Sequence, residues 1–190
     1  MSFTGKYKIL SKNKFGNGKF SIVPIRSSDR YKIMKWRNEQ IFHLRQQKPL
    51  SKEDQDNYFD NIISKIFSQN HPSQILFSYL FEEKCIGYGG LVHINWIDKN
   101  AELSFIMDTE TEKDFFSFHW QNFINNIEKV AFEELKLHKI YVYAFNLRPQ
   151  LYDAIEEVGF VKEAELKEHC YVNNEFKSVI IHSKISPPCV

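Results

Sequence analysis

Glycine and proline are scarce, 7 and 6 residues in a chain of 190. That scarcity excludes collagen-like and Pro/Gly-rich disordered architectures. Neither sign of charge is in excess: 25 Lys and Arg stand against 24 Asp and Glu, a formal net charge of +1. A chain so nearly neutral has no general drive toward nucleic acid, whose affinity for proteins comes mainly from neutralised phosphates. No apolar run approaches the ~20 residues that a bilayer-spanning helix needs. Met1–Leu10 alternates Lys with apolar residues and has no signal-peptide core. Cysteines number three (Cys85, Cys170 and Cys189) and are scattered without metal-ligand spacing. A reducing cytoplasm is therefore the expected setting, with neither a disulfide framework nor a metal site.

Aromatic side chains are plentiful at 15% of residues, ample for one substantial core. No repeat or linker divides the chain, so residues 1–190 are expected to form one domain, with 186–190 a loose tail. Tyr7–Leu10 and Phe20–Val23 read as a hairpin around Phe15-Gly16-Asn17-Gly18. Ser27 or Ser28 offers a cap for a helix to about Glu39, with Ile33 and Trp36 on one face. Ser51-Lys-Glu-Asp54 reads as a capping box before a helix with Tyr58, Ile62 and Ile66 at helical spacing. Ile75–Phe81, Cys85–Trp96 and Ala101–Met107 form an antiparallel meander with short polar turns. Phe116, Trp120, Phe123, Ile127 and Val130 then mark a helix from about Phe115 to Leu137.

Ile140–Phe145 is a strand, Pro149 opens a short helix striped by Leu151, Ala154, Ile155 and Val158, and Gly159 closes it. Val161–Val172 and Phe176–Lys184 are a final hairpin around Asn173-Asn174. The order predicts an α+β fold with a mixed, mostly antiparallel sheet of about seven strands and helices on both faces. The crossover helix makes the strands at Ala101–Met107 and Ile140–Phe145 parallel.

Five elements, in this order, carry a resemblance: Trp36-Arg37-Asn38, Ile86-Gly87-Tyr88-Gly89-Gly90-Leu91, Ala101-Glu102-Leu103-Ser104-Phe105, Asn146, and Glu156-Glu157-Val158-Gly159-Phe160. Together they cover roughly residues 20–184 and resemble the GNAT superfamily of acyl-CoA-dependent N-acyltransferases. The likeness leans to the branch of ribosomal-protein and nucleotide-aminosugar N-acetyltransferases. It implies a V-shaped splay between the Ala101–Met107 and Ile140–Phe145 strands, into which the pantetheine arm of acetyl-CoA enters. It also implies a helix N-terminus, near Phe115–Phe118, facing the cofactor pyrophosphate; orphan N–H groups and the helix dipole favour an anion there.

The chain departs from that family where an Arg/Gln-x-x-Gly-x-Gly/Ala loop is usual. Asp108-Thr-Glu-Thr-Glu-Lys-Asp-Phe-Phe-Ser-Phe-His119 contains no glycine. Asp108, Glu110, Glu112 and Asp114 oppose a pyrophosphate there, and Lys113 and Ser117 are the obvious compensating donors.

The resemblance gives Glu102 the part of general base toward a substrate ammonium, against its alternative as an outward strand residue. Tyr152, off the apolar stripe of its helix, becomes the acid for the departing thiolate, with Tyr141 and Tyr143 as rival hydroxyls. Backbone of Phe105, Ile106 and Met107 aligns the thioester, and Asn146 either contacts the cofactor or caps a helix. Trp36, Arg37 and Tyr88 are candidate acceptor-binding residues, although Trp36 equally suits a core and Arg37 an ion pair. His93 suits a packed or surface histidine better than a base. Gly89-Gly90 suits close strand approach better than a phosphate cradle.

The expected activity is acetyl transfer from acetyl-CoA to a small-molecule primary amine by direct attack, without metal. The acceptor favoured by analogy is an aminosugar, with nucleotide linkage an option; a protein N-terminus or polyamine follows. A monomer or homodimer, with no nucleic-acid or membrane partner, accompanies that reading. The rival is a GNAT-fold module that has lost catalysis and serves binding or assembly, which the glycine-free segment favours.

Overall fold

The structure, a computed structural model, describes residues 5–188; Cys189 and the end of the expected tail lie outside the described residues. Eight strands form one mixed sheet in the order β1-β2-β3-β4-β5-β6-β8-β7, in keeping with the expected α+β fold of about seven strands. The hairpin partner of β2 (Phe20–Pro24) is β1 (Phe15–Asn17) in place of Tyr7–Leu10, paired antiparallel through Phe15–Ile22, Gly16–Ser21 and Asn17–Phe20. Residues expected to turn are thus extended, and the turn falls on Gly18 and Lys19, with Gly18 at φ +63°. Tyr7–Leu10 is no strand. The fully buried Tyr7 stacks on Phe67 at 4.4 Å, and its hydroxyl donates to the Leu76 carbonyl (2.7 Å) and accepts from the Leu76 amide (3.0 Å). The phenol thereby serves the buried Leu76 amide and joins the Ile25 amide (3.0 Å) on the Leu76 carbonyl.

A 3₁₀ turn at Ser27–Asp29 leads into α1 (Arg30–Glu39) without a serine cap. The Ser27 hydroxyl instead accepts from Arg30 Nη2 at 2.5 Å. The Ser51–Asp54 capping box forms as expected and starts α2 (Lys52–Tyr58). A π-helical stretch, Phe59–Ile63, joins it to α3 (Ser64–Ile66). The wider turn rotates the apolar face, so Phe59, Ile63 and Ile66 are buried while Tyr58 and Ile62 are exposed.

The meander is β3 (Ile75–Phe81), β4 (Lys84–Asn95) and β5 (Asn100–Met107), antiparallel throughout. Gly90 lies at φ +154°, and a Cβ there would stand 2.0 Å from the Ile75 carbonyl oxygen. Close approach of β3 is what the position demands. On β5, side chains alternate: Leu103 and Phe105 take one face, Glu102, Ser104 and Ile106 the other. Phe105 stacks on Phe123 at 4.1 Å, which fixes α4 (Thr109–Glu128) against the first face.

That helix begins at Thr109 rather than near Phe115. Asp108 caps it, accepting from the Thr111 amide and hydroxyl at 3.1 Å each. Glu110 and Glu112, which seemed to oppose an anion, occupy the first turn, where negative charge complements the helix dipole. Phe115 then breaks the helical run with φ −135° and ψ 33°. A π-helical turn, Lys129–Glu134, ends the crossover.

Next come β6 (Lys139–Phe145), α5 (Pro149–Glu156), β7 (Val161–Val172) and β8 (Glu175–Ile185). Gly159 closes α5 at φ +88°, and Asn173 and Asn174 turn the last hairpin at φ +51° and +61°. α4 and α5 pack together on one side of the sheet, α1 and α2 together on the other.

As expected, β5 and β6 are parallel. Only three pairs join them: Asn100–Lys139, Ala101–Ile140 and Glu102–Tyr141. Beyond these β5 stays with β4 as far as Met107, and β6 stays with β8 as far as Phe145. The sheet therefore splits toward the C-terminal ends of the two strands.

Candidate functional site

The split opens a cleft of about 540 Å³ walled by residues 102–106 of β5 and 142–145 of β6. Past Glu102 the β6-facing backbone edge of β5 has no ladder partner, so its amide and carbonyl groups are offered to whatever enters. A second cavity of about 280 Å³ adjoins it toward α1 and α2 and shares Arg37, Gln74, Val92 and Ser104 with the first.

Glu102 stands at the root of the split, 6% exposed. The Arg45 guanidinium donates to one carboxylate oxygen, and His93 Nδ1 lies 2.9 Å from the other. His93 reaches it because the β4–β5 register shifts between Val92 and Asn95, leaving His93 at φ +51°. The bulge re-aims a side chain that ideal alternation would send elsewhere. Arg45 is held from the far side by the Tyr143 ring, 4.7 Å away. Arg45 follows the 3₁₀ turn Ile41–His43, in a stretch where no periodicity or motif drew attention to it.

Phe105 and Ile106 line the cleft. Met107 is 1% exposed, and its carbonyl already accepts from Gln40 Nε2 at 2.7 Å. Arg37 lines both cavities and Tyr88 the second. The Arg37 Nη1 donates to the Tyr88 hydroxyl at 2.7 Å and its Nε to Gln46 at 3.0 Å. Trp36 lines neither cavity; it is 2% exposed, and its indole N–H donates to Asp108 at 3.0 Å, tying α1 to the start of α4.

Tyr152 sits beside the cleft rather than in its wall. Its ring stacks on His182 at 5.1 Å and its hydroxyl donates to the Phe145 carbonyl at 3.4 Å. Burial pushes the phenol up to about 12 against a smaller opposing pull from Arg148. Asn146 is exposed and caps nothing, since the residue before α5 is Arg148 and Pro149 takes the first helical position. Lys113 is exposed and bound to Glu110 at 2.8 Å, and Ser117 is exposed; neither lines the cleft.

Arg148 is a cation the sequence reading missed. It lines the cleft, bridges to Glu112 at 3.0 Å, and lies over the rings of Phe116 and Trp120 at 5.6 and 5.9 Å. Burial lowers the Arg148 guanidinium and raises the Glu112 carboxyl, in each case against the partner's charge. His43, also in the wall, is pushed down to about 3 by burial and by Arg148. Among the described residues no group of three His, Cys, Asp or Glu could hold a metal ion, and no helix is long and apolar enough to cross a membrane.

The arrangement unites an open strand edge, a buried carboxylate flanked by cations, and a phenol at the rim. The family described as "Acetyltransferase (GNAT) domain" matches residues 22–180. The spermidine N(1)-acetyltransferase of Vibrio cholerae serotype O1 is 32% identical over 98 residues, 52% of this chain and 55% of that protein, so the match spans about half the length of either. The crystal structure of spermidine N-acetyltransferase from Vibrio cholerae with CoA and spermine superposes with a TM-score of 0.78 at 22% identity, covering 90% of this chain and 97% of that one. A dodecameric structure of the Vibrio cholerae enzyme gives 0.72 at 23%, covering 89% and 95%. The chain belongs to the GNAT acetyltransferase family.

Proposed function

We propose that this GNAT protein transfers the acetyl group of acetyl-CoA to a primary amine by direct attack. The observation that carries the reading is Glu102, a buried carboxylate at the apex of the β5–β6 split. The amine must lose a proton to become a nucleophile, and a carboxylate beside the thioester channel can accept it directly or through one water. Arg45 and His93 hold the Glu102 oxygens in place. The open edge of Phe105 and Ile106 would align the thioester by hydrogen bonds to the pantetheine amides. As the new C–N bond forms, the C–S bond breaks and the CoA thiolate leaves. Tyr152, whose phenol stays protonated at neutral pH, is the candidate to return a proton to that sulfur. To do so its hydroxyl must turn from the Phe145 carbonyl toward the cleft.

For the acceptor, an aminosugar remains the favoured class on the Trp36-Arg37-Asn38 resemblance to nucleotide-aminosugar enzymes; the named relatives, which act on spermidine, support a polyamine instead. The dodecamer of the Vibrio enzyme sets a larger homo-oligomer beside the expected monomer or homodimer. A cytoplasmic setting fits the acetyl-CoA supply.

The test is release of free CoA thiol from acetyl-CoA across a panel of aminosugars, polyamines and amino-terminal peptides. Turnover with an amine, lost in Glu102→Gln, supports the reading. No turnover with any amine and no thermal shift with millimolar CoA would instead favour a binding or assembly module.

A further inference from the structure

Among the described residues, Arg37 is a cation with no carboxylate partner. It projects from α1 onto the face of the sheet that carries Glu102, Ser104 and Ile106, beside Tyr88, which pairs with Ile106 across β4 and β5. Its two hydrogen bonds go to neutral groups, the Tyr88 hydroxyl and the Gln46 amide oxygen. No carboxylate of the described residues forms an ion pair with it, whereas Arg26, Arg30, Arg45 and Arg148 each have one. Five N–H bonds in a rigid fork are available to a guanidinium, and Nη2 donates to no protein acceptor among the described residues. It is not sealed in protein either, since Arg37 lines both cavities where they join.

The surrounding charge points the same way. The larger cleft is walled by three arginines (Arg37, Arg45 and Arg148) and one carboxylate, Glu102, which is already paired with Arg45 and His93. The carboxylate of the second cavity, Asp54, is tied into the capping box with Ser51. A polyamine carrying several ammonium groups would meet repulsion and find no free carboxylate. Arg148 lies at the cleft mouth against α4, whereas Arg37 lies toward α1 and α2. The Tyr88–Ile106 row is four residues along β4 from the Val92–Glu102 row, roughly 13 Å at ~3.3 Å per residue. Glu102 and Arg37 thus line the same cleft at different points along the sheet.

We propose that Arg37 binds an anionic group of the acceptor, so that the protein selects amines bearing a phosphate, such as phosphorylated or nucleotide-linked aminosugars, over polyamines. The inference rests on the acetyltransferase reading for its amine but not for its anion. Paired with phosphate, the guanidinium fork supplies parallel charge-assisted hydrogen bonds that a hydroxyl cannot match.

The experiment compares glucosamine with glucosamine 6-phosphate, and both with spermidine, as acceptors for the wild-type protein and for Arg37→Gln. Expected is a kcat/KM at least about 10-fold higher for the phosphorylated sugar, equivalent to about 1.4 kcal/mol, with the ratio falling toward one in Arg37→Gln. Calorimetric binding of glucosamine 6-phosphate in the presence of CoA reads the same contact without turnover. Loss of catalysis with all amines but retained, Arg37-dependent phosphate binding would sink the acetyltransferase reading and keep this one. Equal use of the two sugars, preference for spermidine, or parallel loss of both sugars in Arg37→Gln would overturn it. If Arg37→Gln does not fold, Tyr88→Phe, which frees Nη1 from its orienting partner, should lower the same ratio; an unchanged ratio counts against the proposal.

Discussion

Arg148 and Glu112 meet at 3.0 Å across the mouth of the cleft, one carried by the turn after β6 and the other by the first turn of α4. Both side chains are largely buried, 13% and 15% exposed. The acid thus holds the arginine at the point where the diverging strands release it.

An arriving pyrophosphate offers Arg148 a stronger partner than Glu112. Arg148→Gln should weaken CoA binding by about 10- to 100-fold, the range for charge-assisted hydrogen bonds of about 1.5–3 kcal/mol. Binding of acetyl-pantetheine, which lacks the phosphates, should change little. Glu112→Gln should preserve or tighten CoA binding while lowering the melting temperature of the free protein. Calorimetry with both ligands decides it; equal losses for the two in Arg148→Gln would separate the arginine from the phosphates.

Glu102→Gln should reduce the acetylation rate most near neutral pH, by roughly 10²–10⁴-fold, and less as pH rises. Alkaline solvent deprotonates the amine and makes the base dispensable. Because Glu102 is paired with Arg45 and His93, the amide also leaves Arg45 without its counter-ion. Melting temperatures must therefore accompany the pH–rate profiles. Parallel profiles over pH 6–9 would make Glu102 a positioning residue for Arg45.

His43 should make the protein acid-sensitive well before its carboxylates titrate. Burial holds the folded imidazole down to about 3 from an ordinary 6.5. The unfolded chain takes up the proton that the folded chain refuses, so stability is full above about pH 6.5 and declines as pH falls from there toward 3. Urea midpoints at pH 7 and pH 5 should differ, and His43→Gln should narrow the difference. An unaltered difference would assign the acid sensitivity to other groups.

Gly90→Ala should destabilise the fold without touching the cleft chemistry. The added methyl would sit 2.0 Å from the Ile75 carbonyl in a backbone conformation that only glycine adopts freely. Backbone strain of this kind costs about 1–3 kcal/mol, and the close contact adds to it. A fall in the urea midpoint with unchanged KM for acetyl-CoA is the expected result.

Much of this architecture is written in short-range patterns. The meander, the crossover and the Pro149–Gly159 helix follow from alternation, helical period and turn residues; the first and last form where expected, and the crossover helix forms but starts at Thr109 rather than near Phe115. Glu102, which the structure places buried at the root of the split, was singled out by the resemblance of its Ala-Glu-Leu strand to the family. Its partners were not. Arg45 lies in irregular chain, and His93 reaches Glu102 only because a bulge turns it. Neither fact has a local sequence signal, since both depend on how β4 registers against β5. The start of α4 was misplaced for the opposite reason. Asp108 is an ordinary helix cap, but the acidic residues after it were weighed as phosphate opponents instead of first-turn helix residues. Tyr58, Ile62 and Ile66 share a face at a 3.6-residue period, but the backbone widens into a π turn at Phe59–Ile63, which buries Ile66 and leaves Tyr58 and Ile62 outside.

The three-pair junction between β5 and β6 makes the sheet two half-sheets sharing a short weld. Strands β1 to β5 lie on one side of it and β6 to β8 on the other, with α4 as the strap between them. A ligand that hydrogen-bonds along the bare edge of β5 while resting on β6 lengthens that weld. Binding then does more than fill a slot: it couples halves that otherwise open semi-independently. Amide protons on both walls should become slower to exchange together when the slot is filled, so the rigidity of one half reports on occupancy beside the other.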